Sequence, residues 1–470
     1  MDLAALALIV LSMLRIAATW TVFSATVDEP MHVSAGLQIY TQHANTYLPA
    51  NPPLPRLVFA LAPWLGGMDF DPHRSVNEQL QHVFYSGARY ETNLVLARSG
   101  MLVFFLIASL AMWGWARREL GPMAGFIATL LFTFQPMIAG HSGVATHDMP
   151  GTAGVAVSLL AFARWLDGRT IKNAALFGLA FGFAVLCKFS CIGYVPAACL
   201  AVFVVRRDPR WRSILPAFVV ALVTTLLAIW IGYAFTIGSL VAGIKQLIEF
   251  DRAGHFTFLF GNFAMHGWWW YFPAAVALKT TLGSLALALL TRGRGFEALA
   301  AAVAILLVAM PSGLDLGVRY VLPVYVPLAF AGAAAFVAMK RQWIAIALLV
   351  WHTGASVLAH PDAIPYFNEA AGRQPWRLLL DSNIDWGQDV LRLRDVVRER
   401  KIDHIGLAVM GWHDWDRLGF PPHYDFRREV PSQGWIAISE HIYGFTPRPL
   451  WLEGHRYERI GKSIRLYRIP

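Results

Sequence analysis

Long apolar runs alternate with short polar segments along roughly the first three quarters of the chain. A run of about 20 apolar residues can cross a bilayer as a helix, so this pattern predicts a mainly α polytopic membrane protein with about 11 transmembrane helices. The predicted spans are approximately Leu3 to Phe23, Ser99 to Trp115, Met123 to Gly140, Pro150 to Trp165, Ala174 to Leu186, Ile192 to Val205, Leu215 to Tyr233, an eighth that ends at Arg292, Leu299 to Met310, Val321 to Met339 and Ile344 to Leu358.

Three longer polar segments complete the organisation. The first outer loop, 24–98, is too long to lack structure, so we expect interfacial helices in it. A second large outer loop covers 234–270. The transmembrane domain is therefore predicted to occupy 1–359, followed at 360–470 by a small soluble α/β domain. Its expected elements are a helix in Gly387 to Arg400 and strands in His404 to Met410, Trp435 to His441 and Arg456 to Ile469.

Composition and charge agree with a membrane protein. Apolar residues make up 56% of the chain and charged residues only 15%, against about 25% in soluble proteins. The net charge of +9 comes from short basic clusters between apolar runs, which excludes nucleic acid as the expected partner. Those clusters are Arg117-Arg118, Arg169 to Lys172, Arg206 to Arg212, Arg292 to Arg294 and Lys340-Arg341.

All five clusters fall on one side of the predicted topology. The positive-inside rule then places the N-terminus in the cytoplasm and the C-terminal domain outside, which is the periplasm or the extracellular space for a bacterial inner (plasma) membrane. The three cysteines lie in one apolar region, so no disulfide framework is expected.

Carboxylates and cations from separate connections collect on the predicted outer face. The carboxylates are Asp28, Glu29, Asp148 and Asp315, and the basic residues are His32, Arg56, Lys188, His255 and Arg319. Carboxylates can accept the proton of a hydroxyl, and cations can stabilise a departing phosphate. A sugar that is carried on a lipid phosphate needs both kinds of group.

Each of these residues also has a purely structural interpretation. Asp28 and Glu29 can mark a helix boundary beside Pro30, and Asp148 can cap the helix that follows it. Lys188 can extend along a helix end to reach the interface, and Arg319 can anchor a span there.

Nine motifs, taken in order along the chain, resemble a known family. They are the pair Asp28-Glu29, Asn51-Pro-Pro-Leu-Pro-Arg56, Thr146-His-Asp148-Met-Pro150, Leu186-Cys-Lys188-Phe-Ser190, Gly254-His255 to Gly261, Gly267-Trp-Trp-Trp-Tyr-Phe-Pro273, Lys279-Thr280, Arg319-Tyr-Val-Leu-Pro323 and Leu380-Asp-Ser-Asn-Ile-Asp-Trp-Gly-Gln-Asp389. The set resembles the family 39 glycosyltransferases of the GT-C superfamily, which include protein O-mannosyltransferases and aminoarabinose transferases. It is similar in particular to their phospholipid carrier-dependent branch.

The resemblance implies a role for each matching residue. Asp28 is the expected general base with Glu29 beside it, and Asp148 orients the acceptor or the base. Lys188 and Arg319 are expected to bind the donor phosphate, with His255 and Arg56 in the same region. Asn51 departs from the family, which usually has histidine there, so the contact of that histidine is in doubt. The segment Asp381 to Asp389 is interpreted as a fold signature of the outer domain, with acceptor contact as the alternative.

The resulting hypothesis is an inverting glycosyltransferase of the cell envelope that uses a polyprenyl-phosphate sugar. The expected partners are this lipid-linked donor, membrane lipids, and a protein, lipid or glycan acceptor. No metal site is predicted, although the Asp69-Phe-Asp71 and Asp414-Trp-Asp416 pairs leave a divalent metal open. The alternatives are a transporter or flippase of a lipid-linked anion, which performs no chemistry, and an outer binding or assembly protein.

Overall fold

Helices form most of the protein, as a computed structural model shows for residues 1–86, 89–207, 215–236, 238–426, 433–445 and 450–470. The α-helices are α1 Asp2–Ala17, α2 Glu29–Gln42, α3 Pro53–Leu65, α4 Val76–His82, α5 Tyr90–Ser99, α6 Met101–Leu120, α7 Pro122–Thr133, α8 Pro136–Ser142, α9 Asp148–Gly168, α10 Ile171–Cys187, α11 Cys191–Arg206, α12 Leu215–Gly232, α13 Gly238–Ala253, α14 Tyr271–Lys279, α15 Leu282–Leu289, α16 Gly295–Ala309, α17 Tyr325–Ala338, α18 Gln342–Ala359, α19 Val390–Glu399, α20 Trp415–Leu418 and α21 Glu440–Phe445. Part of the predicted basic cluster Arg206 to Arg212 lies outside the described residues.

Short 3₁₀ helices and seven strands make up the rest of the regular structure in the described ranges. The 3₁₀ helices are Val83–Tyr85, Val318–Val324, Glu369–Ala371, Pro375–Arg377, Asp381–Asn383 and Leu450–Leu452. The strands are β1 Thr257–Leu259, β2 Asn262–Ala264, β3 Ile405–Ala408, β4 His423–Tyr424, β5 Gly434–Ser439, β6 Tyr457–Ile460 and β7 Ile464–Ile469.

The predicted C-terminal α/β domain is present. Its sheet has the strand order β4-β3-β5-β7-β6, in which β3 pairs in parallel with β4 and β5 while β7 runs antiparallel to β5 and β6. Helix α19 precedes the sheet and buries its apolar side chains, among them Leu391, Leu393 and Val397. The predicted helix and strand segments of this domain all contain the expected element.

Four helices of the described chain are long and apolar enough to cross a membrane, or six if two bent pairs each count as one span. The four are Tyr90–Leu120, Asp148–Gly168, Val318–Ala338 and Gln342–Ala359. Five other apolar helices are shorter, so the count of about 11 stays a prediction. The first predicted span is also shortened, because α1 ends at Ala17.

Two predicted spans are broken. Helices α7 and α8 meet at an angle of 63°, and α14 and α15 meet at 116°. The first bend coincides with Pro136 at the start of α8, where a proline costs no helical hydrogen bond. At the second, the side-chain amide of Asn368 donates to the carbonyls of Ala277 and Thr280, which replaces the lost helical partners.

Candidate active site

An ion pair joins the first outer loop to the helix that precedes α17. Asp28 occupies the N-cap position of α2, but its carboxylate does not cap the helix. Arg319 Nη1 instead donates to Asp28 Oδ2 over 2.7 Å, and the same nitrogen lies 3.7 Å from Asp148 Oδ2. Asp28 therefore does lie at a helix boundary, as the structural interpretation predicts, but its carboxylate binds Arg319 and does not cap the helix.

A second ion pair adjoins the first. Asp148 is the first residue of α9, and Lys188 immediately follows α10. Lys188 Nζ donates to Asp148 Oδ1 over 2.6 Å, and Thr146 Oγ1 donates to Oδ2 over 3.1 Å. Helix α9 has His147 at its N-cap, so the carboxylate of Asp148 serves this cluster and does not cap α9. Gly151 allows the close packing, since a Cβ there would lie 2.9 Å from Lys188 Cβ.

The four charged side chains Asp28, Asp148, Lys188 and Arg319, here called the charge cluster, differ in access. The side chain of Asp28 is 21% exposed, whereas that of Asp148 is 3% exposed. Asp28 is thus the carboxylate of this cluster that an incoming hydroxyl can best reach. Burial raises the pKa of Asp28, Arg319 opposes that shift, and the negative charge of Asp148 adds to it. A raised pKa makes the carboxylate a better proton acceptor.

Glu29 is committed to a separate, fully buried ion pair. Arg98 donates to both carboxylate oxygens over 2.8 Å, and both side chains are 0% exposed. The backbone N–H groups of Thr26 and Ala145 also donate to Glu29. These contacts occupy both carboxylate oxygens and tie the start of α2 to Arg98 and to the backbone of Thr26 and Ala145. Arg98 was not predicted as a partner of Glu29, because it lies where a loop and a predicted span meet.

Two further predicted residues, Arg56 and His255, make their described hydrogen bonds away from the charge cluster. Buried Arg56 donates to the backbone carbonyls of Tyr47 and Leu48, so it fixes the connection between α2 and α3. His255 Nδ1 lies 3.0 Å from the carbonyl of Phe256, beside the β1–β2 hairpin. The predicted donor-phosphate set is therefore brought together only for Lys188 and Arg319.

Several uncharged residues complete the surroundings of the charge cluster. The aromatic ring of Tyr320 lies 5.1 Å from Lys188 Nζ and 5.0 Å from Arg319 Cζ. Trp386 lies 4.4 Å from the same guanidinium carbon, and the hydroxyl of Ser382 accepts from Arg319 Nε over 3.2 Å. Cations over aromatic faces are attracted by the ring quadrupole, so these rings help to hold both cations.

Two buried histidines contact each other, and one of them, His147, immediately precedes Asp148 in the chain. The rings of His32 and His147 lie 4.3 Å apart in an edge-to-face arrangement, and His147 Nε2 lies 3.0 Å from the carbonyl of Pro52. Burial lowers the pKa of both well below its usual value, which keeps them neutral. His32 is buried and lies within α2.

The described residues contain no group of three or more His, Cys, Asp or Glu side chains that could hold a metal ion. Asp71 pairs with Arg74, and Asp414 pairs with His82 and Arg417. The chemistry open to the charge cluster is proton transfer at Asp28 and binding of an anion at Arg319 and Lys188.

One protein family matches part of the chain. Residues 91–233 match the family described as dolichyl-phosphate-mannose-protein mannosyltransferase. The matched segment contains Asp148 and Lys188, whereas Asp28 and Arg319 lie outside it. A comparison with curated protein sequences finds no match.

Two solved structures are similar over nearly the whole chain, and both are ArnT from Cupriavidus metallidurans. The structure bound to undecaprenyl phosphate is 14% identical, with a TM-score of 0.55, and the match covers 98% of this chain and 97% of ArnT. The structure in the apo state is 12% identical, with a TM-score of 0.57 and the same coverage. At such low identity, the likeness establishes the fold. The chain therefore has the ArnT fold over nearly its whole length, and the family match over residues 91–233 agrees with its predicted resemblance to the GT-C glycosyltransferases.

Proposed function

We propose that the protein is an inverting membrane glycosyltransferase, which moves a sugar from a polyprenyl phosphate to an acceptor hydroxyl at the outer face of a bacterial inner membrane. The observation that carries this proposal is the charge cluster, in which an accessible carboxylate adjoins two cations. Undecaprenyl phosphate bound to ArnT, whose fold the chain shares, supports the choice of lipid carrier.

Asp28 acts as the general base in this reaction. Its carboxylate accepts the acceptor's hydroxyl proton while the hydroxyl oxygen attacks the anomeric carbon. The bond between that carbon and the phosphate oxygen breaks, and its electron pair stays on the phosphate. Attack from the side opposite the phosphate inverts the configuration at the anomeric carbon.

Lys188 and Arg319 stabilise the departing phosphate. The phosphodiester of the donor carries one negative charge, and the released lipid phosphate develops a second. Fixed cations at that position stabilise the transition state more than the bound donor, which is the condition for catalysis. Asp148 accepts from Lys188 and lies near Arg319, so it orients both cations toward a shared anion.

Donor binding would also release the base. Arg319 Nη1 is hydrogen-bonded to Asp28 in this structure. A donor phosphate competes for the same guanidinium, which can bind two phosphate oxygens at once. Asp28 then loses part of its partner's stabilisation and becomes more basic when the donor is present. The base is thereby activated together with substrate binding.

The outer face follows from the predicted topology, with the N-terminus in the cytoplasm and the C-terminal domain outside. No nucleotide is needed there, because the energy of the donor resides in the sugar–phosphate bond. A membrane-embedded donor also explains why the charge cluster lies beside apolar helices, since the polyprenyl tail stays in the bilayer.

The proposal is tested with the purified full-length protein and a panel of polyprenyl-phosphate sugars and hydroxyl acceptors. Mass spectrometry should find one donor converted to lipid phosphate, with its sugar on the acceptor and the anomeric configuration inverted. The Asp28→Asn variant should leave the same donor intact. Movement of a lipid-linked anion across vesicles without any sugar transfer would instead establish the transporter alternative.

A further inference from the structure

The guanidinium of Arg319 is held by a segment that lies more than 60 residues further along the chain. We propose that Asp381–Asp389, here called the positioning segment, aligns Arg319 with Asp28 for donor binding. Ser382 and Trp386 make the contacts that do this. The inference rests on the proposed function, because it assigns the two residues to the donor-phosphate side of that reaction.

Ser382 fixes one edge of the guanidinium. Its hydroxyl accepts from Arg319 Nε over 3.2 Å and donates to the carbonyl of Leu316. Because Ser382 binds Nε on one side of the guanidinium, Nη1 faces Asp28. Gly317 permits this approach, because its φ is +111° and a Cβ there would lie 2.4 Å from Ser382 Oγ.

Trp386 fixes the face of the guanidinium. Its ring centroid lies 4.4 Å from Arg319 Cζ, and the side chain is almost completely buried at 1% exposure. A buried cation–π contact is stronger than one on a surface, because water does not compete for the cation. Edge and face contacts together restrict the guanidinium to one plane, which is what bidentate phosphate binding requires.

The positioning segment is also hydrogen-bonded to the residues that immediately precede Asp28. The N–H of Val27 donates to the carbonyl of Trp386 over 3.0 Å. Ser24 Oγ donates to the carbonyl of Gly387 over 2.8 Å, and the Ser24 N–H donates to the carbonyl of Gln388 over 3.0 Å. One segment therefore sets the positions of both partners in the Asp28–Arg319 pair.

A buried lysine secures the same segment from a third side. Lys279 is 0% exposed, and its Nζ donates to the carbonyls of Asn383 over 2.6 Å and Ile364 over 2.8 Å. The Asn383 amide in turn accepts from the N–H of Val318, next to Arg319. The positioning segment is thus a buried part of the site and not only a marker of the outer domain.

If the positioning segment had only a structural role, substitutions in it would change the stability of the protein and not its affinity for the donor. The deciding measurement is the affinity of the full-length protein for undecaprenyl phosphate, by titration calorimetry in detergent. It is made for the wild type, Ser382→Ala, Arg319→Ala and the double variant, together with thermal unfolding. The matched control is Ser99→Ala, since the Ser99 hydroxyl also donates to a backbone carbonyl, that of Leu96, over 2.7 Å.

We expect Ser382→Ala to weaken the affinity roughly tenfold, the effect of losing a hydrogen bond to a charged group. Ser99→Ala should leave it unchanged, and unfolding of both variants should stay within about 2 °C of the wild type. In the Arg319→Ala background, Ser382→Ala should cause no further loss, because Ser382 acts through Arg319.

Other outcomes separate the two proposals. Wild-type protein that binds no undecaprenyl phosphate overturns the proposed function and this inference together. The inference alone is overturned if the wild type and Ser382→Ala bind undecaprenyl phosphate with equal affinity. It is also overturned if Ser382→Ala weakens binding as much in the Arg319→Ala background as in the wild type. If Ser382→Ala does not fold, the pair Trp386→Phe and Trp386→Leu decides. Phe keeps an aromatic face and should retain the affinity, whereas Leu should reduce it; equal affinities overturn the inference.

Discussion

Arg319 and Asp28, which are 291 residues apart in the chain, are joined by a hydrogen bond of 2.7 Å between Nη1 and Oδ2. Asp148 lies 3.7 Å from the same nitrogen, so one guanidinium serves two carboxylates. An anion that enters the site must therefore compete with these two carboxylates for the guanidinium of Arg319. In the proposed reaction, this competition would link donor binding to the basicity of Asp28.

Replacement of the proposed base should abolish sugar transfer. We expect Asp28→Asn to lower kcat by roughly 10²- to 10⁴-fold, the usual contribution of a general base. Expression and thermal unfolding should be retained, because the amide can still accept from Arg319. Asp71→Asn is the matched control, since Asp71 pairs with Arg74 on the surface. Steady-state rates with a saturating donor measure the effect, and near-normal turnover in Asp28→Asn would exclude it as the base.

Removal of either cation should act on the donor. Arg319→Ala and Lys188→Ala each lose a charge-assisted contact to phosphate, so the donor KM should rise roughly tenfold or more. Arg319→Lys should recover only part of the loss, because an ammonium cannot make the bidentate contact. Exposed Lys172 supplies the control variant Lys172→Ala. An unchanged dependence of the rate on donor concentration would contradict phosphate binding by these residues.

The buried pair of Glu29 and Arg98 should control stability. Removing one member of a buried ion pair leaves an uncompensated charge and costs about 3 to 5 kcal/mol. We expect Glu29→Gln to lower the thermal unfolding temperature in detergent markedly. Turnover per folded molecule at a permissive temperature should stay close to that of the wild type.

The exposed pair of Asp2 and Arg117 provides the comparison, because a surface ion pair contributes only about 0 to 1 kcal/mol. Asp2→Asn should therefore unfold near the wild-type temperature. If Glu29→Gln instead unfolds normally and loses turnover selectively, Glu29 takes part in the chemistry as the sequence first indicated.

The pH dependence should report the environment of Asp28. Its pKa is raised by burial, an effect that Arg319 opposes and Asp148 reinforces. Only the ionised form accepts a proton, so kcat/KM should rise with pH as Asp28 ionises. The rise should occur at a higher pH than the pKa of an ordinary aspartate would give. Asp148→Asn removes a negative charge that raises this pKa, so the limb should move to lower pH. Full pH–rate profiles of both proteins test this, and a shift to higher pH would contradict it.

The charge cluster could be predicted because its members are charged residues in or beside apolar runs. Asp28, Asp148, Lys188 and Arg319 were each selected on that ground and by their order along the chain. The local pattern does not separate Asp28 from Glu29, since adjacent residues share it, and only the family resemblance favoured Asp28 as the base. Their different roles depend on Arg98, which reaches Glu29 from 69 residues away.

Tertiary contacts also explain what else sequence did not reveal. Ser382 and Trp386 carry no charge, and their contact with Arg319 depends on how distant segments pack. The broken helix at α14 and α15 was predicted as one continuous span, because its apolar pattern continues through the bend. The amide of Asn368, which satisfies the carbonyls at that bend, lies far outside the apolar run.

The tie between Ser24 and the backbone at Gly387 and Gln388 has a consequence for biosynthesis. The two ends of this contact are made at well-separated times during translation, since 363 residues separate Ser24 from Gly387. The N-terminal helices enter the membrane long before the segment that aligns Arg319 exists. A nascent or truncated chain that lacks Ser382 to Gln388 would therefore hold its N-terminal helices without an aligned Arg319, and the proposed activity would require this later segment to be made first.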